Sequence, residues 1–449
     1  MAENKEPSKK KTKKSTSSGN KKTTRKKTTA EKAVASAAKA VAKSNNTALQ
    51  VIVVLLVVAI VGLCVYGYFA GWFDFLFKKS PGIDFNAATY NVETIKDEDL
   101  SIHFLELGSW NTGDSIYIKA GKTDVLIDAG SVGASAETIA KYVDQYCEDG
   151  KLEYVIATHA HKDHISGFVG TNSVKGIFER YKCDNIIQFA RTDSTTNLYN
   201  KYVSEVTKQK SQGANVYTAL QCWNNADGAK RTYQLSEGVT MDVLYQKYYE
   251  EKATTENNYS VCVLINQGDN HYLFTGDLEK AGEASLAEEN SLPECVLYKA
   301  GHHGSKTSSH DVLLNVIKPQ IVCVCCCAGT DEYTTKTENM FPTQEFVDRI
   351  APYTDKVYVT TIGGENKTFS SMNGNIVFGC SYVPKANAAP TTPSDGKTEG
   401  DVTESKEAKD VEYEYKFNMY FTNNSDKLKD TEWFKNNRTC PDNWKKKEN

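Results

Sequence analysis

Three histidines and an aspartate are concentrated in THAHKDHISG, residues 158–167, although the whole chain has only eight histidines. His159 and His161 are two positions apart, and Asp163 and His164 follow closely. Neutral imidazoles and carboxylates are donors that Zn²⁺ takes in proteins, and an open coordination position distinguishes a catalytic zinc site from a structural one. The H-x-H-x-D-H spacing therefore predicts a metal-binding turn rather than an ordinary polar loop.

The chemistry expected of such a turn is hydrolysis. Two divalent ions about 3.5–4 Å apart lower the pKa of a shared water and stabilise the charge on a phosphorus or carbon atom under attack. No covalent nucleophile is then required. The sequence also has no G-x-S-x-G motif and no P-loop, which argues against a serine nucleophile and against nucleoside-triphosphate chemistry.

The elements that must position this turn alternate between strands and helices. LEYVIAT is a β-rich run that delivers the motif at its carboxyl end, and SAETIAKYVDQYCEDG has a helical spacing of apolar residues that ends at Gly150. Further strands are predicted at SIHFLELG, DSIYIKAGKTDVLIDAG, GVTMDVLY, SVCVLINQG, HYLFTGD, CVLYKAG, QIVCVCCCA, KVYVTT and NGNIVFGC. Together these segments predict one α/β body over residues 98–383.

The motif and its ordered companions resemble the metallo-β-lactamase fold superfamily. LIDAGS resembles the early Asp-x-Gly strand end of that family, with Asp128 as a supporting residue. Asp277 in LFTGDLE matches the carboxylate that bridges two metals, and one histidine of YKAGHHGSKTSSH matches the final histidine ligand. The resemblance spans about residues 100–383 and implies a four-layer αββα sandwich.

Within that superfamily the chain is most similar to the surface domain of ComEC-type DNA-uptake proteins and to bacterial phosphorylcholine esterases. Three segments carry this similarity: TGDSIYI, which contains Asp114 as a second supporting residue, ENNYSVCVLI and AGHHGSKTSS. The resemblance implies a phosphodiester substrate, either a nucleic acid or a cell-wall polymer.

The resemblance also implies two divalent cations, with Zn²⁺ preferred and Mn²⁺ as the alternative. Asp277 would be shared by both ions, and Asp163 would also orient the attacking hydroxide. The implied metal ligands are His159, His161, Asp163, His164, Asp277 and His302. The first ion would take the first two histidines, and the second ion would take Asp163, His164 and one histidine of the later pair.

The choice within that pair depends on strand alternation, which Gly301 can break. We favour His302 as the ligand and His303 as a catalytic donor to the scissile oxyanion or a support for a ligand. His271, the nearest histidine before Asp277, is expected to be an ordinary surface residue. Ser305 and His310 lie in the polar loop that follows the pair.

Two other function classes remain open at this point. One is amide or lactone hydrolysis of the β-lactamase type, and the other is a surface binding module that keeps the fold without catalysis. The complete set of donors in residues 158–167 favours an enzyme. A phosphodiesterase is the preferred hypothesis because the most similar groups act on phosphodiesters.

The ends of the chain differ in charge. Residues 1–47 hold 14 Lys and Arg against 3 Asp and Glu, which leaves 39 against 54, a net charge of −15, for residues 48–449. The first segment is poor in apolar residues, so we expect a disordered basic arm. The acidic remainder argues against capture of DNA over the whole surface.

An apolar run follows the basic arm. No charged residue lies between Lys43 and Asp74, and this length can cross a hydrocarbon layer of about 30 Å. We predict a transmembrane helix at 48–73 and a juxtamembrane linker at 74–97. Because the cations lie mainly before the span, the N-terminus is expected in the cytoplasm and the catalytic domain outside the cell membrane.

The C-terminal part offers little chemistry. Residues 384–410 read as a Pro/Ser/Thr/acidic linker, and residues 411–449 as an extension of unknown role. VEYEYKFNMYF of that extension alternates like a strand. A strand or helix packed on the body is the preferred interpretation, and a wall-binding patch that contains Trp433 and Trp444 is the alternative. The four cysteines of CVCCC, at 323–327, read as small buried hydrophobic residues rather than a disulfide framework. No protein partner is inferred.

Overall fold

The structure, a computed structural model, describes residues 85–385 and 412–445. The predicted basic arm and the predicted membrane span at 48–73 lie outside the described residues, as does almost all of the predicted linker 384–410. Within the described ranges, no helix combines the length and apolar character needed to cross a bilayer.

Seventeen strands are formed by the described residues. Their bounds are β1 Phe85–Thr89, β2 Leu100–Phe104, β3 Ile116–Ala120, β4 Thr123–Ile127, β5 Lys151–Ala157, β6 Lys182–Gln188, β7 Asn215–Thr218, β8 Thr232–Ser236, β9 Val239–Leu244, β10 Cys262–Gln267, β11 Asn270–Phe274, β12 Leu297–Lys299, β13 Ile321–Ala328, β14 Val357–Gly363, β15 Phe369–Ser371, β16 Ile376–Pro384 and β17 Tyr413–Phe421.

Ten α-helices connect or follow these strands in the described part of the chain. Their bounds are α1 Val92–Lys96, α2 Ser135–Val143, α3 Lys162–Val169, α4 Ile177–Arg180, α5 Asn197–Ser211, α6 Ala219–Asn224, α7 Lys280–Glu289, α8 Asp311–Ile317, α9 Gln344–Ile350 and α10 Glu432–Asn437. Short 3₁₀ turns include Glu256–Tyr259 and Gly301–Gly304.

The strands form two mixed sheets. The nine-stranded sheet has the order β1-β17-β16-β2-β3-β4-β5-β6-β7, and the eight-stranded sheet has the order β15-β14-β13-β12-β11-β10-β9-β8. Strands β4 to β7 are parallel, and so are β11 to β14. Each parallel block presents its carboxyl ends at one edge, where functional side chains of open α/β sheets are commonly found.

The two sheets pack face to face. Phe104 of β2 stacks with Phe274 of β11 at a centroid distance of 6.4 Å, and Tyr272 of β11 meets Phe378 of β16 at 5.3 Å. Helices α2, α3 and α5 cover the nine-stranded sheet, and α7, α8 and α9 cover the eight-stranded sheet. The predicted α/β sandwich is therefore confirmed.

Strand β13 shows how alternation serves this layered packing. Cys323 and Cys325 join the core between the sheets, whereas Val322 and Val324 pack with the outer helices. All cysteines of the described residues are free thiols, and those of β13 are buried. Here the cysteines serve as small apolar residues, as their sequence context predicts.

Residues 85–89 and 413–421 add two strands to the nine-stranded sheet. Strand β1 pairs in parallel with β17, and β17 pairs along its length with β16 of the nine-stranded sheet. The carboxylate of Glu98 binds β17 by accepting hydrogen bonds from Asn418 at 2.7 Å and from Tyr420 at 2.6 Å. A fragment that ended at residue 383 would lose β17 and expose the β16 edge.

The two tryptophans near the C-terminus are structural. Trp433 is 9% exposed and Trp444 is 3% exposed. The Trp444 indole packs against Phe434 and donates a hydrogen bond to the Thr354 carbonyl at 2.8 Å. These side chains anchor the C-terminal segment to the eight-stranded sheet and its helices, so they do not form an exposed wall-binding patch.

Candidate metal centre

The H-x-H-x-D-H motif joins β5 to α3. His159 lies two residues beyond the last residue of β5, and His161 is an extended residue that immediately precedes α3. Asp163 and His164 therefore occupy the first turn of a helix rather than the predicted open turn. A carboxylate at this helical position is favoured by the unpaired amides and the dipole of the helix start.

Asp277 reaches the same edge from the other sheet. It lies three residues after β11 and follows Gly276, whose φ is +53°. A Cβ atom at Gly276 would lie 2.9 Å from Ser260 Oγ and from Thr158 Cβ. Glycine is thus required there by its backbone conformation and by the close approach of two neighbouring segments.

Four imidazoles surround one oxygen of the buried Asp277 carboxylate. The distances to Asp277 Oδ2 are 3.1 Å from His164 Nε2, 3.4 Å from His303 Nε2, 3.7 Å from His302 Nε2 and 3.9 Å from His159 Nε2. The other oxygen, Oδ1, is buried and has no hydrogen-bond partner among the described residues. This carboxylate is the centre on which the two sheets converge.

The electrostatics of the centre favour a cation. Burial opposes ionisation of Asp277, but His164 and His303 outweigh it and hold the pKa of this carboxyl well below its usual value. Burial likewise opposes protonation of His164 and His303, yet the facing carboxylates raise the pKa of both rings well above the usual value. The carboxylates thus favour protons on these two imidazoles, and a divalent ion would take the place of those protons.

Asp128 fixes the orientation of His164. Its Oδ2 atom lies 2.7 Å from His164 Nδ1 and accepts a hydrogen bond from the Thr158 hydroxyl at 2.7 Å, while Oδ1 accepts from the Thr158 amide at 2.8 Å. With Nδ1 engaged, Nε2 of His164 is directed to Asp277. This is the arrangement by which a carboxylate orients a histidine ligand.

His303 is held in a comparable way. Its Nδ1 atom lies 2.9 Å from the Cys325 carbonyl oxygen and 3.0 Å from Asp114 Oδ1. Its Nε2 atom is buried without a hydrogen-bond partner in the described residues and lies 3.5 Å from Asp163 Oδ2. The free nitrogen of this ring therefore points into the centre.

The structure places His303, and not the favoured His302, in the four-residue cluster. One donor atom each from Asp163, His164, Asp277 and His303 lies within 4.8 Å of the others. Strand alternation fails to predict this because His302 and His303 both adopt left-handed backbone conformations, with φ of 48° and 54°. Alternation applies only to extended residues.

His302 faces the same carboxylate from the more exposed side. Its side chain is 20% exposed, and its Nδ1 atom lies 2.9 Å from the Thr307 hydroxyl. Burial lowers the pKa of this ring, so its imidazole stays neutral near pH 7. His302 is thus at the rim of the centre.

His159 and His161 form the other side of the centre. Nε2 of His159 lies 3.0 Å from Nδ1 of His161, so these two nitrogens point at a common position. Burial lowers the pKa of His159 well below its usual value. Ser260, which the sequence did not single out, lies 3.4 Å from His159 Nδ1 and accepts a hydrogen bond from the Asp277 amide at 3.1 Å.

A buried ion pair lies next to His303 of the centre. Lys299, the last residue of β12, pairs with Asp114, and both side chains are 1% exposed. Burial opposes ionisation of Asp114, but Lys299 and His303 together lower the pKa of the carboxyl. Asp114, predicted as a supporting residue, thus pairs with Lys299. Sequence reasoning missed Lys299 because a lysine near a strand end has no distinctive sequence signal.

Other polar residues singled out by the sequence lie away from the cluster. His271 lies on the β10–β11 hairpin with its Nδ1 atom 2.8 Å from Asn266 Oδ1. His310 is next to the buried Glu283 carboxylate at 3.2 Å, and the Ser305 hydroxyl lies 3.1 Å from that of Thr307. These contacts account for all three side chains without a metal.

The donors present fit a divalent metal site. The cluster provides two carboxylates and two imidazoles, and its buried atoms Asp277 Oδ1 and His303 Nε2 have no protein partner among the described residues. Buried polar atoms are normally satisfied, so such unpaired atoms at one point call for a ligand. Oxygen and imidazole donors suit Zn²⁺ and Mn²⁺ alike.

Comparison with known proteins finds one matching family and several partial relatives. The family described as metallo-beta-lactamase superfamily matches residues 108–170. Recombination protein 2 of Haemophilus influenzae is 28% identical over 255 residues, 56% of this chain and 26% of that protein. Competence protein ComA of Neisseria gonorrhoeae is 23% identical over 279 residues, 62% of this chain and 33% of that protein.

A shorter match involves a nuclease. Exodeoxyribonuclease YycJ of Bacillus anthracis is 32% identical over 68 residues, 15% of this chain and 25% of that protein. Among solved structures, the metallo-beta-lactamase fold protein YhfI from Bacillus subtilis aligns with a TM-score of 0.33 and 11% identity, over 61% of this chain and 99% of that one. The chain spans a quarter to a third of the length of these curated relatives.

The two adjacent histidines make a direct test of the ligand assignment. We expect His303→Ala to weaken the binding of one divalent ion by at least about 10-fold, because loss of a ligand costs no less than loss of its supporting residue. His302→Ala should have a smaller effect. Competition with a chromogenic chelator measures both affinities, with His271→Ala as the control. A larger loss in His302→Ala than in His303→Ala would reverse the assignment.

Proposed function

Because this chain carries a metallo-beta-lactamase superfamily domain, we propose that it is a metal-dependent hydrolase and that its substrate is a phosphodiester. The observation that carries the proposal is the buried Asp277 carboxylate, which four imidazoles surround. One of these imidazoles, His302, is partly exposed, so the centre is open to solvent on that side. A structural metal site would be closed by its ligands, whereas this centre has an accessible rim.

Two ions would share Asp277 in this proposal. Asp163, His164 and His303 would hold one ion, and His159 and His161 would hold the other. When bound, the ions would supply a water of lowered pKa and positive charge for the oxygens of the substrate. Zn²⁺ is the preferred identity because most of the donors are imidazoles, with Mn²⁺ as the alternative.

The chain's own groups have separate tasks around this site. Asp128 and Asp114 keep His164 and His303 in the ring orientations that leave their Nε2 atoms free. Asp163 would align the attacking water through its second oxygen. His302, neutral and at the rim, is placed to donate a hydrogen bond to a substrate oxygen, the task first assigned to His303.

A nucleic acid is the substrate class that the comparisons favour. The curated relatives are named for recombination, competence and exodeoxyribonuclease activity. The acidic net charge of residues 48–449 argues for contact through a local groove rather than through the whole surface. Cell-wall phosphodiesters and phosphorylcholine esters belong to the same chemical class and enter the test as competitors.

The function is tested with a substrate panel on the purified full chain. The panel contains bis-p-nitrophenyl phosphate, single-stranded DNA, RNA, a cyclic dinucleotide, a phosphorylcholine ester and a chromogenic β-lactam. We expect phosphodiester turnover that EDTA abolishes and Zn²⁺ or Mn²⁺ restores. Asp163→Ala and His161→Ala should lower it by at least about 100-fold with unchanged circular dichroism.

His271→Ala, outside the centre, should keep full activity. Turnover that resists chelation, or that survives Asp163→Ala, would contradict the proposed mechanism. Turnover of the β-lactam alone would assign the site to amide hydrolysis instead.

We also propose that residues 48–73 anchor the enzyme in the cell membrane with residues 98–383 outside. The support is the uncharged run itself, which is long enough to cross a bilayer, and the cations that precede it. Protease added to intact cells should remove the hydrolase body and leave the basic arm protected. Protection of the hydrolase body with loss of the arm would show the opposite orientation.

A further inference from the structure

The segment between β13 and α9, residues 329–343, reaches over the rim of the metal centre. Tyr333 in this segment is 47% exposed, yet its hydroxyl donates a hydrogen bond of 2.5 Å to Asp163 Oδ2. Asp163 itself is 6% exposed. The phenol therefore spans the boundary between solvent and the buried carboxylates.

We propose that Tyr333 is a substrate-contacting residue whose hydroxyl donates a hydrogen bond to a non-bridging oxygen of the scissile phosphodiester. This rests on the proposed function, because it assumes that a phosphodiester enters the centre. It adds a protein donor that lies outside the sequence motifs of the site.

The position of the hydroxyl is fixed by packing around its ring. Tyr333 packs against Phe341 at a centroid distance of 5.9 Å, and Phe341 in turn packs against His302 at 5.8 Å and His303 at 6.0 Å. On another side, the Lys162 ammonium lies 5.4 Å from the Tyr333 ring centroid. The phenol is thus supported by the same residues that form the rim.

The residue before Tyr333 ties the segment to both flanks of the centre. The Glu332 side chain is 5% exposed and pairs with Lys162 at 2.6 Å. Its oxygens also accept hydrogen bonds from Asn111 Nδ2 at 2.7 Å and from the Thr112 amide at 2.8 Å. Lys162 lies next to Asp163 in the metal motif, so its ion pair with Glu332 holds residues 329–343 close to the motif.

Hydrolysis of a phosphodiester is assisted by hydrogen-bond donors close to the reacting phosphorus. Attack on a phosphodiester concentrates negative charge on the non-bridging oxygens, and donors fixed in advance stabilise that charge without reorganisation. A hydroxyl already aimed at a carboxylate oxygen is aimed at a site for anionic oxygen. With Asp163 engaged by a cation, an entering phosphate oxygen would become the competing acceptor for the hydroxyl of the half-exposed Tyr333.

Tyr333→Phe removes the hydroxyl and keeps the ring packing. We expect kcat for bis-p-nitrophenyl phosphate to fall about 100- to 1,000-fold, as for loss of one oxyanion donor, while the bound metal content and the melting temperature stay unchanged. Tyr353→Phe is the matched control, because it removes a hydroxyl that bonds Asn315 at 2.7 Å and should leave kcat unchanged.

A phosphorothioate dinucleotide separates contact with substrate from support of Asp163. Sulfur accepts hydrogen bonds poorly, so the full-length enzyme should be slowed by sulfur at the contacted non-bridging position. In Tyr333→Phe this ratio of oxygen to sulfur rates should shrink towards one for the same diastereomer. An unchanged ratio, an unchanged kcat, or loss of metal from Tyr333→Phe would overturn the proposal.

The unmodified enzyme distinguishes failure of this inference from failure of the proposed function. If the metal-loaded enzyme hydrolyses none of the phosphodiesters, the proposed function is overturned and the role of Tyr333 with it. If the enzyme is active and Tyr333→Phe matches it in kcat and in the sulfur ratio, only the role of Tyr333 is overturned.

Discussion

Asp277 is only 1% exposed, and an isolated charge that is so deeply buried would be energetically costly. Its charge is compensated by imidazoles that come from the motif of residues 159–164 and from the turn at 301–304. The rings of His159, His164, His302 and His303 must each hold Nε2 towards one oxygen of the Asp277 carboxylate. The architecture around the centre is best understood as the means of meeting that requirement.

The two parallel blocks of strands meet this requirement by ending at one edge. β5 delivers the histidine motif, β11 delivers Asp277 and β12 delivers the histidine pair, so donors from distant parts of the chain arrive on rigid supports. Asp128 and the Asp114–Lys299 pair then set ring orientation. A rigid scaffold with supported ligands favours a preorganised site, which is how enzymes place charge where the transition state develops it.

Sequence reasoning found the donors whose signal is local. The H-x-H-x-D-H motif follows a recognisable strand, and Asp277 follows another. It favoured His302 as the ligand, whereas the cluster contains His303, because two successive left-handed residues interrupt the alternation of a strand. It also missed Tyr333, which meets Asp163 across 170 positions of the chain from a segment without regular structure. Pairing of β1 with β17 was equally hidden, since strand partners distant in sequence leave no periodic signal.

The central claim is that the carboxylate of Asp277 is shared by two cations. Anomalous diffraction from crystals grown with Mn²⁺, recorded at energies on either side of the manganese absorption edge, tests it most directly. The account predicts two peaks in contact with Asp277, one touching Asp163, His164 and His303 and the other touching His159 and His161. Ordered manganese elsewhere, with none at Asp277, would contradict it.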